Sequence, residues 1–323
     1  MNPDHQSPGF FIFEHMPDNI LELSHVTKKY VNHIALNDLS LGIPGNAIFG
    51  LLGPNGAGKT SLIRIITMIT APDSGTVLFN GAKLDKEHLY QIGYLPEERG
   101  LYKKMEVGEQ ALYLARLKGL SRAEALKRLK YWFEKFEIQP WWKKKIEELS
   151  KGMAQKVQFI TTILHEPSFI ILDEPFTGFD PINAELIKNE LLMLQKKGAT
   201  IVLSTHRMES VEELCSHIAL VNNARIILNG AVKEIQNNFR TNTYELNLKG
   251  SFDFKSRFND SRFNVLSEVT DGYGVTTARL RINQGATSND LLAMVMPVCL
   301  VHGLREIVPS MGDIFIQKVN ESK

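Results

Sequence analysis

The sequence predicts a doubly wound α/β core followed by a small, separate α/β unit. Three observations carry this. The runs "NAIFGLLG", "FIIL" (169–172) and "ATIVLS" (199–204) are short, apolar and bounded like buried parallel strands. Helical stretches separate them: "TSLIRIITMIT" follows the first, and residues Ile182 to Gln195 lie between the other two. After about Arg240 the chain changes to shorter strand-like runs and carries no chemical motif.

In chain order, "NILELSHVTKKYV" and "IALNDLSLGI" read as two strands with partial alternation. "GTVLFNG" and "IGYL" are further short strands. From Gly100 to Pro167 the pattern is mostly helical. Ser121 with Glu124 forms a capping-box pattern, and Leu126, Leu129, Phe133 and Phe136 mark the expected buried face behind it. "IALVNNARIIL" reads as a hairpin about Asn222-Asn223. Beyond Arg240, "TYELNLK", "FNVLSEV" and "GVTTARLRI" are strands, and Ser288 caps a helix. The expected domains are a loose leader at 1–18, a main domain at 19–240 with its helical part at 100–167, and a small accessory domain at 241–323.

With 323 residues and 43% apolar residues, the chain can bury one large core and a small one. A net charge of +1 gives no global pull toward nucleic acid, so no nucleic-acid partner is expected. Two distant cysteines build neither a disulfide framework nor a zinc site, which favours a reducing compartment. No apolar run reaches the ~18 residues of a membrane span, and the start lacks a basic n-region. A chain soluble by itself is therefore expected, and work at a membrane needs a partner within it.

The strongest motif is "GPNGAGKTS", which fits G-x-x-x-x-G-K-[ST] between a strand and a helix. Gly53, Pro54, Asn55, Gly56, Ala57 and Gly58 form a loop whose N–H groups can face phosphate oxygens. The following helix adds the positive end of its dipole. Lys59 is placed for the β- and γ-phosphates, Thr60 offers a hydroxyl to magnesium, and Ser61 completes the turn. In "FIILDEP", Asp173 and Glu174 end a buried strand. Beside a phosphate loop, Asp173 suits a Mg²⁺ position and Glu174 a general base. A carboxylate pair capping a helix is the competing reading. "STHRMES" sets His206 at the end of the next strand, within reach of a γ-phosphate or the attacking water.

"GPNGAGKTS", "LSKGM" (149–153), "IILDEP" and "STH", in that order, resemble the ATP-binding cassette (ABC) transporter ATPase subunits over about Asn19 to Arg240. The resemblance implies a P-loop ATPase core with an N-terminal antiparallel β subdomain and a helical subdomain presenting the "LSKGM" signature. It implies ATP and Mg²⁺ as ligands, and a homodimer, or a dimer with a similar subunit, that sandwiches two ATP molecules. It also implies a separate integral-membrane permease, which would hold a cytoplasmic protein on the inner face of the membrane. Tyr30 falls where the family stacks adenine, although an aromatic there is as readily a packed strand residue. Ser150, Lys151, Gly152 and Met153 fall where the family meets the γ-phosphate of the opposite subunit. Ser150 is also a good N-cap, so a plain capped helix is the other reading. Asp180 falls in the loop between the two ATP sites. Lys151 and Met153 stand where the family usually has glycine and glutamine. Glu97, in "YLPEERGLY", stands where it usually has glutamine and is assigned to metal and coupling, with Glu98 in solvent or paired to Arg99. "YLPEERGLY" itself resembles a subgroup of sodium-extrusion-type exporters with a small C-terminal domain. A soluble ABC ATPase not tied to transport is the alternative, and a binding module without turnover a third reading. "WWKKK" (141–145) reads as inward tryptophans before a solvated basic turn, with a membrane or partner patch as the rival.

Overall fold

The computed structural model describes residues 19–97, 100–250 and 261–322, with Phe252 and Phe254 between them. The leader at 1–18 and Glu98 lie outside the described residues. The chain divides after Asn229 into two compact units.

The first unit holds two sheets. β1 (Asn19–Tyr30), β2 (His33–Pro44), β4 (Ser74–Phe79) and β5 (Ala82–Lys83) form an antiparallel sheet ordered β2-β1-β4-β5. β3 (Ile48–Leu52), β6 (Ile92–Leu95), β7 (Phe169–Asp173), β8 (Thr200–Ser204), β9 (His217–Asn222) and β10 (Arg225–Ala231) form the second, ordered β10-β9-β3-β8-β7-β6. The pairs β9–β3–β8–β7–β6 are all parallel. Every residue of β3, β7 and β8 is buried, as continuous apolar strands covered on both faces must be. The β9–β10 turn sits at Asn223 and Ala224, both with positive φ, one residue beyond the expected pair.

Helix α1 (Lys59–Ile66) leaves the phosphate loop and stops at Thr67, well before Pro72. The helical stretch contains α2 (Val107–Leu117), α3 (Arg122–Lys135) and α4 (Lys151–Ile163). Ser121 caps α3 by accepting from the Glu124 N–H. The buried face of α3 is Ala125, Leu129, Trp132 and Phe133, followed by Phe136. Leu126 is exposed, contrary to the expected stripe: Ala125, Leu129, Trp132 and Phe136 recur at helical spacing along the buried line, and Leu126 lies off it. Trp142 packs on Gly108 of α2 and edge-on against Phe133, while Lys143, Lys144 and Lys145 are exposed. α5 (Pro181–Lys196) and α6 (Met208–Leu214) complete the unit.

The second unit starts with α7 (Val232–Asn238), which packs with α9 (Met311–Glu321); its junction therefore lies upstream of the change in residue character at Arg240. β11 (Thr243–Lys249), β12 (Phe263–Thr270), β13 (Val275–Ile282) and β14 (Leu300–Ile307) form an antiparallel sheet ordered β12-β13-β11-β14. That is the strand order of a split β-α-β domain. Leu246, Leu248, Ala278, Leu280 and Ile282 share its core with Leu291 and Val295 of α8 (Ser288–Val295). The cap of α8 is Thr287 in a reciprocal box with Asp290, one residue before the expected Ser288.

Gly108 tests the packing of the helical part. A Cβ there would lie 2.2 Å from the Trp142 ring. Gly108→Ala is expected to cost about 1–3 kcal/mol of unfolding free energy, read as a lower urea midpoint.

Candidate functional site: a phosphate loop facing buried carboxylates

The strand register assembles the site. Ser204 of β8 is level with Leu51 of β3 on one side and Asp173 of β7 on the other. The segments leaving these three strands therefore emerge together at the carboxyl edge of the sheet, where ligands bind in doubly wound folds.

The loop after β3 depends on two glycines. Gly53 has φ 151°, and a Cβ would lie 2.3 Å from the Val221 carbonyl oxygen. Gly58 has φ 118°, and its Cβ would lie 2.4 Å from the Ala35 carbonyl oxygen. The loop is thus pressed between β9 and β2. The Ala224 N–H donates to Ala57 O at 3.1 Å and the Asn37 N–H to Ala224 O at 2.8 Å, which ties the antiparallel sheet to the same place. Lys59 folds back along the loop, its Nζ donating to Gly53 O at 2.6 Å and Pro54 O at 3.0 Å. Asn55, Gly56 and Thr60 are exposed, while Pro54 and Ser61 are half-buried.

Opposite this loop the charges converge. Burial pushes the Asp173 carboxyl above its usual range; Glu97 and Glu174 push the same way, and the Ser204 hydroxyl and Lys59 oppose them. Burial lowers the Lys59 ammonium, against the pull of Asp173, Glu174 and Glu97. Glu97 is itself exposed, after Tyr94, whose phenol is pushed up to about 12 by burial. Glu174 leaves β7 with φ 48°, a left-handed conformation that a non-glycine residue adopts at a cost. Its N–H donates to Ser204 O at 2.8 Å. Its carboxylate accepts from the His206 N–H at 3.0 Å, meets His206 Nδ1 at 2.6 Å and accepts from Thr205 Oγ1 at 3.3 Å. Neither the His206 contact nor Thr205 was readable from the sequence; the adjacency of "STH" to the acidic strand was its only trace.

The signature residues lie elsewhere on the unit. Ser150 caps α4, its Oγ accepting from the Met153 N–H at 3.3 Å. Gln155 Nε2 donates to Pro175 O at 3.1 Å, so the first turn of α4 rests on the loop after Glu174. Gly152 faces the Gly178 carbonyl of that loop. Asp180 ends the loop and caps α5 through the Asn183 N–H at 2.9 Å, which holds its carboxyl below the usual range. Tyr30 ends β1, half-exposed, with Lys28 Nζ 5.7 Å from its ring.

A groove of about 680 Å³ opens beside Tyr94 and Pro96. Leu89, Tyr90, Leu114 and Leu117 line it, with Lys118 and His165. Tyr90 and Leu117 are more than half exposed. Lys118 Nζ donates to Leu89 O at 2.7 Å and Ile92 O at 2.8 Å. Burial lowers His165 to about 4, and its Nδ1 is buried without a partner.

These features define a P-loop nucleotide-binding protein, and comparison with known proteins narrows the class. The family model described as ABC transporter matches residues 36–177, and the model described as ATP-binding protein DrrA1-3-like, C-terminal domain, matches 230–319. An uncharacterized ABC transporter ATP-binding protein of Bacillus subtilis, YhaQ, is 41% identical over 93% of this chain and 98% of its own length. A Nod factor export ATP-binding protein I of Cupriavidus metallidurans is 33% identical over 67% of this chain and 72% of its own. A solved ATP-binding subunit of an ABC transporter superposes with a TM-score of 0.64 at 32% identity, over 68% of this chain and 93% of that one. The chain belongs to the ATP-binding subunits of ABC transporters, whose fold binds ATP.

The raised Asp173 carboxyl has a sign. Its folded form holds a proton more tightly than the unfolded chain, so its stabilising contribution is present below the ordinary carboxylate range and is lost as pH rises through the raised value. At neutral pH the ionised group costs stability. Asp173→Asn is expected to raise the melting temperature of the nucleotide-free protein by about 2–4 °C while abolishing ATP turnover, with the thermal gain shrinking on acidification.

Proposed function

We propose that the chain is the ATP-hydrolysing subunit of an exporter, in which ATP closes two copies, or this chain and a similar subunit, and hydrolysis reopens them to drive a separate membrane permease. The observation that carries the hydrolytic reading is Glu174, aimed by a left-handed turn and held by Thr205 and His206 beside Lys59. Lys59 exchanges the carbonyls of Gly53 and Pro54 for β- and γ-phosphate oxygens, and the N–H groups of Asn55 to Ser61 wrap the phosphates. Tyr30 stacks on adenine. Glu174 orients the attacking water and takes its proton, and His206, free to turn from Glu174, steadies the γ-phosphate.

Thr60, Asp173 and Glu97 offer hard oxygen donors of the kind Mg²⁺ takes. Among the described residues no three His, Cys, Asp or Glu side chains converge closely enough to hold a metal alone, so a bound Mg²⁺ would need oxygen donors beyond Thr60, Asp173 and Glu97. The surplus of carboxylates around Asp173 fits a divalent cation. Bound Mg²⁺ neutralises charge building on the transferred phosphoryl group. Ser150, Lys151, Gly152 and Met153 meet the γ-phosphate held by the other copy, and Asp180 lies between the two sites.

Transport is supported by the groove. Exposed apolar side chains around one concavity suit a docked partner helix, and Pro96 and Glu97 connect it to the phosphate site. This favours a permease over a free-standing ATPase. Among the described residues no helix is long and apolar enough to cross a membrane, so attachment to its inner face runs through the permease. Export is supported by the Nod factor relative, and membership of the sodium-extrusion subgroup by "YLPEERGLY". The second unit, which begins at Gly230 rather than at the 241 of the sequence reading, is assigned an accessory role.

Glu174→Gln is expected to bind ATP, to lose about 10²–10⁴-fold in turnover and to accumulate as an ATP-bound dimer in sedimentation. A monomeric, fully active variant contradicts the two-copy mechanism. Leu117→Glu is expected to leave ATPase activity of the isolated protein unchanged and to abolish its stimulation by the co-purified permease in liposomes.

A further inference from the structure

The sheet of the second unit packs α8 on one face and carries a band of arginines on the other. Glu245 of β11 stands level with Arg279 of β13 on one side and with Arg305 of β14 on the other. Arg279 Nε and Nη2 both donate to Glu245 Oε2 at 3.2 Å, and Arg305 Nη2 donates to Oε1 at 3.0 Å. The next row sets Arg281 beside Thr243. All three arginines are exposed. On this face they share one carboxylate, because Glu268 registers with Ala278 and Glu306 with Tyr244, which belong to the face that packs α8.

One end of the same sheet is apolar. The register brings Val275, Lys249 and Leu300 into its last row, next to the β12–β13 turn. Tyr273 in that turn is 88% exposed, Val269 67% and Leu300 64%. A Cβ at Gly250 would lie 3.5 Å from Cys299 Sγ, so the exposed Met296 and Val298 approach the same end. A cluster of exposed apolar side chains of this kind marks an interaction site. The turn is built to present Tyr273: Asp271 Oδ1 accepts from the N–H groups of Tyr273 and Val275, both at 2.9 Å, and Gly274 takes a φ of 73°.

We propose that this face docks directly on an anionic lipid surface, with Tyr273, Leu300 and Val269 at the headgroup–acyl boundary and Arg279, Arg281 and Arg305 on the phosphates behind them. Val275 and Arg279 are four residues apart, about 13 Å along a strand. Apolar contacts enter such a boundary to a depth of about 5–10 Å, and the long arginine stems span the remainder. A tyrosine ring with a polar tip suits that depth, and Lys249 can extend its ammonium back to the headgroups. A second copy seated on this face would set arginines against arginines. A nucleic acid would find no aromatic side chain to stack on, because the face positions of all four strands carry none. The contact goes beyond attachment through a permease and does not depend on it.

The test uses full-length protein and lipid vesicles, with neither nucleotide nor permease present, so its outcome is separate from that of the transport reading. Vesicles of phosphatidylcholine with phosphatidylglycerol are expected to carry the protein in flotation, and vesicles of phosphatidylcholine alone are not. Arg281→Gln is expected to weaken binding about fivefold, and Arg281→Gln combined with Arg305→Gln about twentyfold or more. Tyr273→Ser is expected to cost about fivefold or more. Rising salt is expected to shrink the arginine effects and to leave the Tyr273 effect in place. The melting temperature is expected to stay that of the parent, because each side chain is exposed. Ile316→Ser removes an exposed apolar side chain from α9 and is expected to bind as the parent does. Absence of binding to the anionic vesicles overturns the proposal, as does equal binding to both vesicle types or an equal loss with Ile316→Ser. If the arginine and Tyr273 variants instead lose self-association or oligonucleotide binding while vesicle binding is unchanged, the face belongs to another copy or to nucleic acid and the proposal falls.

Discussion

Carboxylates held out of water beside a single ammonium set the terms for the rest of the site. Asp173 and Glu174 are both buried at the end of a strand with no exposed residue. Like charges in a low-dielectric setting repel, and each pays a desolvation cost. At Asp173 the Ser204 hydroxyl and Lys59 oppose this, and burial weakens Lys59 as well. The nucleotide-free fold therefore retains an electrostatic penalty, seen in the raised Asp173 carboxyl. Such a penalty persists only where packing elsewhere is strong. Here it is supplied by the fully buried β3, β7 and β8 and by a phosphate loop wedged against Val221 and Ala35.

The same geometry links chemistry to motion. Glu174 begins a short loop, Pro175 to Phe179, that ends at the Asp180 cap of α5. Gln155 and Lys151 of α4 rest on that loop at Pro175 and Gly178. A displacement of the loop would therefore be felt at once by Glu174, by the start of α5 and by the first turns of α4. On the other side, Glu97 lies next to the groove that includes Pro96. On the proposed function, a partner seated in the groove would lie beside the residue whose charge reaches Lys59.

Much of this was legible in the sequence where one local pattern had one structural solution. "IGYL" is β6 residue for residue, and the phosphate loop sits between β3 and α1 as its spacing requires. Ser150 caps α4 as its position before an apolar stripe suggests. Patterns with two near-equal solutions slipped. On α3 the buried line runs through Ala125, Leu129, Trp132 and Phe136, so a stripe started at Leu126 misses it by one residue. Thr287 and Ser288 are both capping residues, and Asp290 chose Thr287 because only that spacing closes the reciprocal box. Contacts between distant segments left no local trace at all. The Glu174–His206 bond, the Trp142–Gly108 contact and the seat of Lys151 on Gly178 join residues 27 to 34 positions apart that only tertiary packing brings together. Caps pose a further ambiguity: Ser150 and Asp180 are satisfied within one chain, so their local pattern looks alike with or without a second copy.

How the helical stretch is fastened bears on what it can do. Two lysines pin it to the central sheet and its helices. Lys118, just past α2, grips the carbonyls of Leu89 and Ile92. Lys135, at the end of α3, pairs with Glu190 of α5, which is almost fully buried. The other Glu190 oxygen, Oε1, is buried without a partner. A half-satisfied buried pair adds little net stability, because desolvation offsets its attraction, yet losing either partner strands a charge. Such links favour one orientation of the helices without the broad cost of separating apolar surfaces. Helix α3 keeps its own core of Leu129, Phe133 and Phe136, while α4 buries Ala154, Val157, Ile160 and Ile163 and rests through Gln155 on the loop after Glu174. Apolar burial and these polar pins together fix where the first turn of α4 presents Lys151.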